Sequence, residues 1–162
     1  MKKVYLIRHA KSSWKDLALE DFERPLNKRG KSDAPLMGDK LHDKKVVPDT
    51  ILSSPAVRAK TTAEIIAKKI GFEKKIVYKK DIYEASATTL HKILTKIADT
   101  ESIVFLFGHN PSLNELADNY IHFNENIPTC AVVEIAFDCN SWADISAENA
   151  RWISFDYPKK EK

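Results

Sequence analysis

Three short apolar runs, residues 4–7, 50–52 and 102–107, each break off into a loop carrying arginine or histidine and then into a helical pattern. Short apolar runs bounded by turn signals read as buried strands. Strands that alternate with helices imply βα units and a mostly parallel sheet covered on both faces. The first run, Val4, Tyr5, Leu6 and Ile7, ends in Arg8-His9-Ala10. A strand terminus with two such side chains either reaches solvent or presents them to an anion. In open α/β sheets, ligands bind just beyond the carboxyl ends of the strands.

The second run, Thr50-Ile51-Leu52, leads into Ser53-Ser54-Pro55-Ala56-Val57-Arg58. Ser54 reads as an N-cap and Pro55 as the first helical residue. Ala59, Thr62, Ala63, Ile66 and Ile70 then recur at helical spacing up to Gly71, a natural stop. Arg58 is thereby placed in a first helical turn, beside backbone N–H groups that favour negative charge. Its ordinary alternative is a structural pair with a nearby carboxylate. The third run is followed by Gly108-His109-Asn110-Pro111-Ser112, after which Leu113, Leu116, Ala117 and Tyr120 give a helix its apolar face. Three strand ends bearing Arg-His, Arg and His suit an anion pocket better than three unrelated surface positions.

The remaining pattern fits one domain over residues 1–162, an α/β three-layer sandwich (α/β/α). A first helix is expected over about residues 29–44, with a kink or split at Pro35, which removes a helical donor. A short strand over residues 75–78 and a helix carrying Leu90, Ile93, Leu94 and Ile97 come before the third run. Two alternating strands, residues 131–137 and 151–157, close the chain and imply antiparallel pairing at the C-terminal end of the sheet. The tail, residues 158–162, is expected to fray. The net charge of +3 is modest, and the Lys68-Lys69, Lys74-Lys75 and Lys79-Lys80 pairs lack the interleaved aromatics of a nucleic-acid stripe. No run approaches a membrane span. Met1-Lys2-Lys3 passes straight into a strand, so no signal peptide is expected. Cys130 and Cys139 show no framework spacing, so a reducing cytoplasm is the expected location.

The segments Ile7-Arg8-His9-Ala10-Lys11, Arg24-Pro25-Leu26-Asn27-Lys28-Arg29-Gly30, residues 53–63 and Gly108-His109-Asn110-Pro111 stand in a familiar order. The chain resembles the histidine phosphatase superfamily, whose fold is phosphoglycerate mutase-like, and within it the small SixA-like phosphohistidine phosphatases. The resemblance runs from about residue 2 to about residue 122. Arg-His-Ala replaces the commoner Arg-His-Gly at a position with no side-chain chemistry. The insertion that larger members carry between the first two motifs is missing, which favours the compact branch.

The resemblance implies a metal-independent phosphatase without cofactors, in which His9 attacks phosphorus and becomes transiently phosphorylated. Arg8 and Arg58 would clamp phosphoryl oxygens through fork geometry that lysine lacks. His109 would donate to an equatorial oxygen. Two roles are open to Arg24: a third contact to phosphate, or a surface pair with Asp21 or Glu20. Glu84 stands where many members carry the acid that protonates the leaving group; otherwise it is an exposed glutamate. The five histidines and two cysteines lack zinc-type spacing. His42, His91 and His122 read as bystanders, and Ser13, Ser53 and Ser112 lack a flanking base. The implied partner is a phosphohistidine protein, with inorganic phosphate as product and neither nucleic acid nor membrane involved. The alternatives are a small-molecule phosphomonoesterase or mutase on a phosphorylated metabolite, and a non-catalytic phosphate-binding module.

Overall fold

The computed structural model describes residues 1–159. The elements run β1 (Lys2–Arg8), α1 (Lys28–Asp43), β2 (Thr50–Ser53), α2 (Val57–Ile70), β3 (Val77–Tyr78), α3 (Ala87–Thr95), β4 (Ile103–Gly108), α4 (Ser112–Ile121), β5 (Val132–Phe137) and β6 (Ala150–Asp156). Short 3-10 turns lie at Asp21–Glu23, Lys80–Ile82 and Trp142–Asp144. The six strands form one sheet in the order β3-β2-β4-β1-β5-β6. The pairs β3–β2, β2–β4 and β4–β1 are parallel, whereas β1–β5 and β5–β6 are antiparallel.

Strand alternation divides the core into two layers. Val4 and Leu6 of β1 and Val104 and Leu106 of β4 face Leu90 and Leu94 of α3 and Leu113 and Leu116 of α4. Tyr5, Ile7, Phe105 and Phe107 face the other way, onto Met37 and Leu41 of α1 and Ala63 and Ile66 of α2. Each fully buried side chain of this size contributes about 1.5–3 kcal/mol, and both faces of the central strands are covered. No helix among the described residues is long and apolar enough to cross a membrane.

Four local expectations require correction. α1 is one helix through Pro35 and is not split there. Its buried positions Ala34, Met37, Gly38 and Leu41 pack against α2 and the sheet, and this tertiary contact holds the helix where local propensity would break it. α2 starts at Val57 rather than Pro55 and is flanked by Ala56, because the Ser54 hydroxyl accepts from the Ala56 N–H inside the preceding turn. β3 is confined to Val77–Tyr78 at the sheet edge. β5 is buried at all six residues instead of alternating, since it lies between β1 and β6 with Val133, Ile135 and Phe137 in the layer of α3 and α4 and Val132 in that of α1 and α2. The polar member, Glu134, is held there by Tyr5 Oη at 2.9 Å and Ser154 Oγ at 2.8 Å. Of the tail expected to fray, residues 160–162 lie outside the described residues.

Candidate active site

The parallel register sets the level of the site. Arg8 pairs with Gly108 across β1–β4, and Ser53 pairs with Phe107 across β2–β4. One residue further on, the His9 N–H donates to the Gly108 carbonyl at 3.1 Å and the Ser54 N–H to the Phe107 carbonyl at 3.0 Å. Three neighbouring carboxyl ends therefore finish together, bringing His9, His109 and the start of α2 to one place.

His9 is 7% exposed. Its Nδ1 lies 2.7 Å from the Ala10 carbonyl oxygen, which can only accept, so the network assigns the ring proton to Nδ1. Nε2 is left with a free lone pair. Burial, opposed by the Ala10 carbonyl and reinforced by the charges of Arg58 and Arg8, lowers the pKa of His9 to about 4. The ring is neutral at physiological pH, in the tautomer a nucleophile requires.

His109 lies beside it, with ring centroids 5.0 Å apart. Its Nε2 is 2.8 Å from Ser54 Oγ, and that hydroxyl already accepts from the Ala56 N–H. The hydroxyl proton is best used toward Nε2, which places the His109 proton on Nδ1, a buried atom with no hydrogen-bond partner. Burial and the neighbouring His9, Arg58 and Arg8 push its pKa down to about 3. Neutral His109 is thus a donor rather than a second cation.

The arginines complete the pocket. Arg8 donates through Nη1 to the Ile127 carbonyl at 2.9 Å, and its buried Nε is unpartnered. Burial, then the Arg58 charge, lowers its pKa from the ordinary value. Arg58 is 8% exposed and points its Nη1 and Nη2 at the backbone oxygen and Oδ2 of Asp21, at 2.6 and 2.9 Å. Thr62 ties that helix to the loop after His9, accepting from the Ala10 N–H at 2.9 Å and donating to the Arg58 carbonyl at 2.7 Å. Arg24 makes neither of the surface pairs open to it. It is buried at 8% exposure, with its guanidinium carbon 3.8 Å from the ring centre of the exposed Trp14 and its Nε and Nη1 unpartnered.

Among the described residues, the buried side-chain nitrogens without partners are Arg8 Nε, Arg24 Nε and Nη1, and His109 Nδ1. Buried donors are almost always satisfied, and an unmet one costs about 1–3 kcal/mol. All of these belong to residues that the sequence marks for an anion. Glu84 is exposed, with φ 57°, next to Tyr83, whose ring meets that of His109 edge-on at 5.6 Å. Among the described residues, no cluster of three or more histidine, cysteine or carboxylate side chains could hold a metal ion.

Elsewhere, His91 Nδ1 lies 2.6 Å from Tyr120 Oη and His122 flanks the end of α4. Ser53 Oγ donates to the Ser54 carbonyl and Ser112 Oγ to the His109 carbonyl. Sequence reasoning missed Asp21 as a site residue. Nothing in the run of acids Asp16, Glu20, Asp21 and Glu23 distinguishes it, and only the fold brings it onto Arg58. Tyr83 was missed too, although it adjoins Glu84.

Known proteins are similar to this chain in sequence and fold. An uncharacterized chloroplastic protein of Arabidopsis thaliana is 30% identical over 155 residues, spanning 90% of this chain and 71% of the relative. The crystal structure of a candidate phosphohistidine phosphatase SixA from Agrobacterium tumefaciens superposes with a TM-score of 0.84 at 27% identity, covering 97% of this chain and 98% of that one. A protein histidine phosphatase SixA complexed with tungstate has the same fold, with a TM-score of 0.80 at 20% identity over 96% and 97% of the two chains. The profile of the histidine phosphatase superfamily (branch 1) matches residues 4–107, the stretch that supplies Arg8, His9, Arg24 and Arg58 and stops just short of His109. By that match and by its fold, the chain belongs to the histidine phosphatase superfamily, branch 1.

Proposed function

We propose that this chain is a phosphatase that hydrolyses phosphohistidine on a protein through a phosphorylated His9. The observation that carries the reading is the neutral His9, with Nε2 free, set among buried arginine and histidine donors that lack partners. Phosphoryl transfer needs mainly positioning and stabilisation of charge on the equatorial oxygens. Arg8, Arg24, Arg58 and His109 Nδ1 supply donors for those oxygens. His9 Nε2 attacks phosphorus as the bond to the leaving group breaks, and water then releases inorganic phosphate from His9. Ala10 holds the Nδ1 proton throughout, so the nucleophile keeps one tautomer.

The substrate assignment is supported by the likeness to SixA proteins, which are described as phosphohistidine phosphatases. The rim of the site, at Trp14 and Glu84, is exposed to solvent, as binding to a protein-borne side chain requires. Glu84, at that rim, is the residue proposed to protonate a basic leaving group.

The test is a turnover comparison of a phosphohistidine protein, an aryl phosphate and a phosphoglycerate, with rapid quenching. Acid-labile, base-stable phosphate is expected on the wild-type chain and absent from His9→Ala. Hydrolysis by a folded His9→Ala variant removes His9 from the mechanism. A preference for phosphoglycerate assigns the chain to small-molecule hydrolysis instead.

A further inference from the structure

Among the described residues, a carboxylate reaches this cationic site at Asp21. Its position is at first sight unfavourable, since it lies on Arg58, where phosphate oxygens are proposed to bind, and a carboxylate repels a phosphate dianion. Burial raises its pKa, but the hydrogen bonds from Tyr83 and Arg58 prevail, and the net direction is downward, so it stays ionised. Both side-chain bonds fall on Oδ2, from Arg58 Nη2 at 2.9 Å and Tyr83 Oη at 2.7 Å. Oδ1 receives none, and the side chain is 50% exposed. Beside it, Phe22 and Tyr83 meet edge-on at 5.1 Å, and Tyr83 in turn meets His109. A half-exposed carboxylate beside a pair of aromatic rings suits a flat ring that carries an N–H.

We infer that Asp21, Phe22 and Tyr83 form a subsite for the departing imidazole, with Asp21 Oδ1 accepting the ring N–H that a phosphohistidine has and a phosphate ester lacks. This rests on the phosphohistidine reading above. The reaction balances without a proton transfer at the breaking bond. The substrate ring enters as its protonated cation, with phosphorus on one nitrogen and a proton on the other. His9 Nε2 forms the new P–N bond, and the electron pair of the old one returns to the departing nitrogen. The leaving ring departs as neutral imidazole, its N–H still on Asp21, while His9 becomes the phosphorylated ring with its own N–H on Ala10. Donor and acceptor rings are chemically alike, so a carboxylate that keeps the substrate ring protonated favours departure. It selects by charge as well: the ring cation offsets the repulsion an ester phosphate meets in full.

The charged and titratable groups around Asp21 are Arg58 from α2, Tyr83 and its neighbour Glu84, His109 after β4, and His9 and Arg8 at the end of β1. Both histidines are neutral above pH 5, so a limb in alkaline solution is not theirs.

The experiment is the pH dependence of kcat for a phosphohistidine protein and for an aryl phosphate, in the wild type, Asp21→Asn and Asp21→Glu. The kcat profile reports groups in the enzyme–substrate complex. Loss of the neighbouring charge in Asp21→Asn is expected to move the alkaline limb for phosphohistidine down by about one pH unit, lowering turnover above it about tenfold. Aryl phosphate turnover is expected to rise in the same variant, and Asp21→Glu is expected to retain the wild-type limb. Equal losses on both substrates would make Asp21 only a positioning residue for Arg58, and an unmoved limb in Asp21→Asn would also overturn the inference. A wild type inactive on phosphohistidine would instead refute the phosphohistidine reading itself.

Discussion

At the scale of single residues, His9 and His109 show what the site does to its own stability. Both are held neutral by burial and by nearby arginines, with pKa values of about 4 and about 3. In the unfolded chain each would take a proton near the ordinary histidine value of about 6.5. Between those values the unfolded state binds more protons than the folded one, so stability falls as pH drops from about 6.5 toward 4. The loss amounts to about 2 kcal/mol per histidine at pH 5. We expect the urea midpoint to drop markedly between pH 7 and pH 5, and His9→Asn/His109→Asn to lose much of that dependence. A double variant with the wild-type slope would locate the acid sensitivity elsewhere. The identities of Arg8, His9, Arg58 and His109 as site candidates were legible in the sequence, because Arg8, His9 and His109 stand at the ends of apolar runs and Arg58 in the first turn of the helix that follows one. The tautomers and depressed pKa values were not, since they depend on Ala10, Ser54 and the surrounding desolvation.

At the scale of elements, the start of α1 braces the loop that follows His9. Asn27 caps the helix by accepting from the Gly30 N–H at 2.8 Å, and its own N–H donates to the Lys11 carbonyl at 2.9 Å. A Cβ at Gly30 would run into that same carbonyl oxygen. The motif glycine is thus explained by close approach of two backbones, two residues beyond His9, and not by its own conformation. Gly30→Ala should destabilise the fold by about 1–3 kcal/mol even though alanine is the better helix former. It should also lower kcat, because Lys11 must move. Urea unfolding and steady-state turnover check both; an unchanged midpoint would show that the loop yields freely. Pro35 teaches the converse. Its local signal predicts a break, yet buried neighbours on one face keep α1 continuous.

At the scale of the whole molecule, the sheet order assembles a site from segments far apart in the chain. β4 lies between β1 and β2, so His109 meets His9 and Ser54 although about a hundred residues separate the two histidines. An oxyanion held by donors from all these segments should act as a clamp on the native state. Tungstate, vanadate or phosphate at about 100 times its Kd should stabilise the chain by about 2.7 kcal/mol, a rise in Tm of roughly 5–10 °C. Each should also inhibit competitively, and Arg58→Lys should weaken both effects through loss of the bidentate fork. Saturating tungstate without a Tm shift would show that the donors do not converge on one anion. The order of strands and helices, the parallel sheet with its antiparallel end, and the four principal site candidates were determined by the sequence, because each follows from local periodicity and from which residues lie at a strand end or at the start of the next helix. Tertiary structure alone decided that Asp21 lies on Arg58, that Arg24 is buried beneath Trp14 instead of paired at the surface, and that His109 offers Nδ1. Those outcomes depend on contacts between segments distant along the chain, and local pattern carries no information about which of several similar side chains the fold brings together.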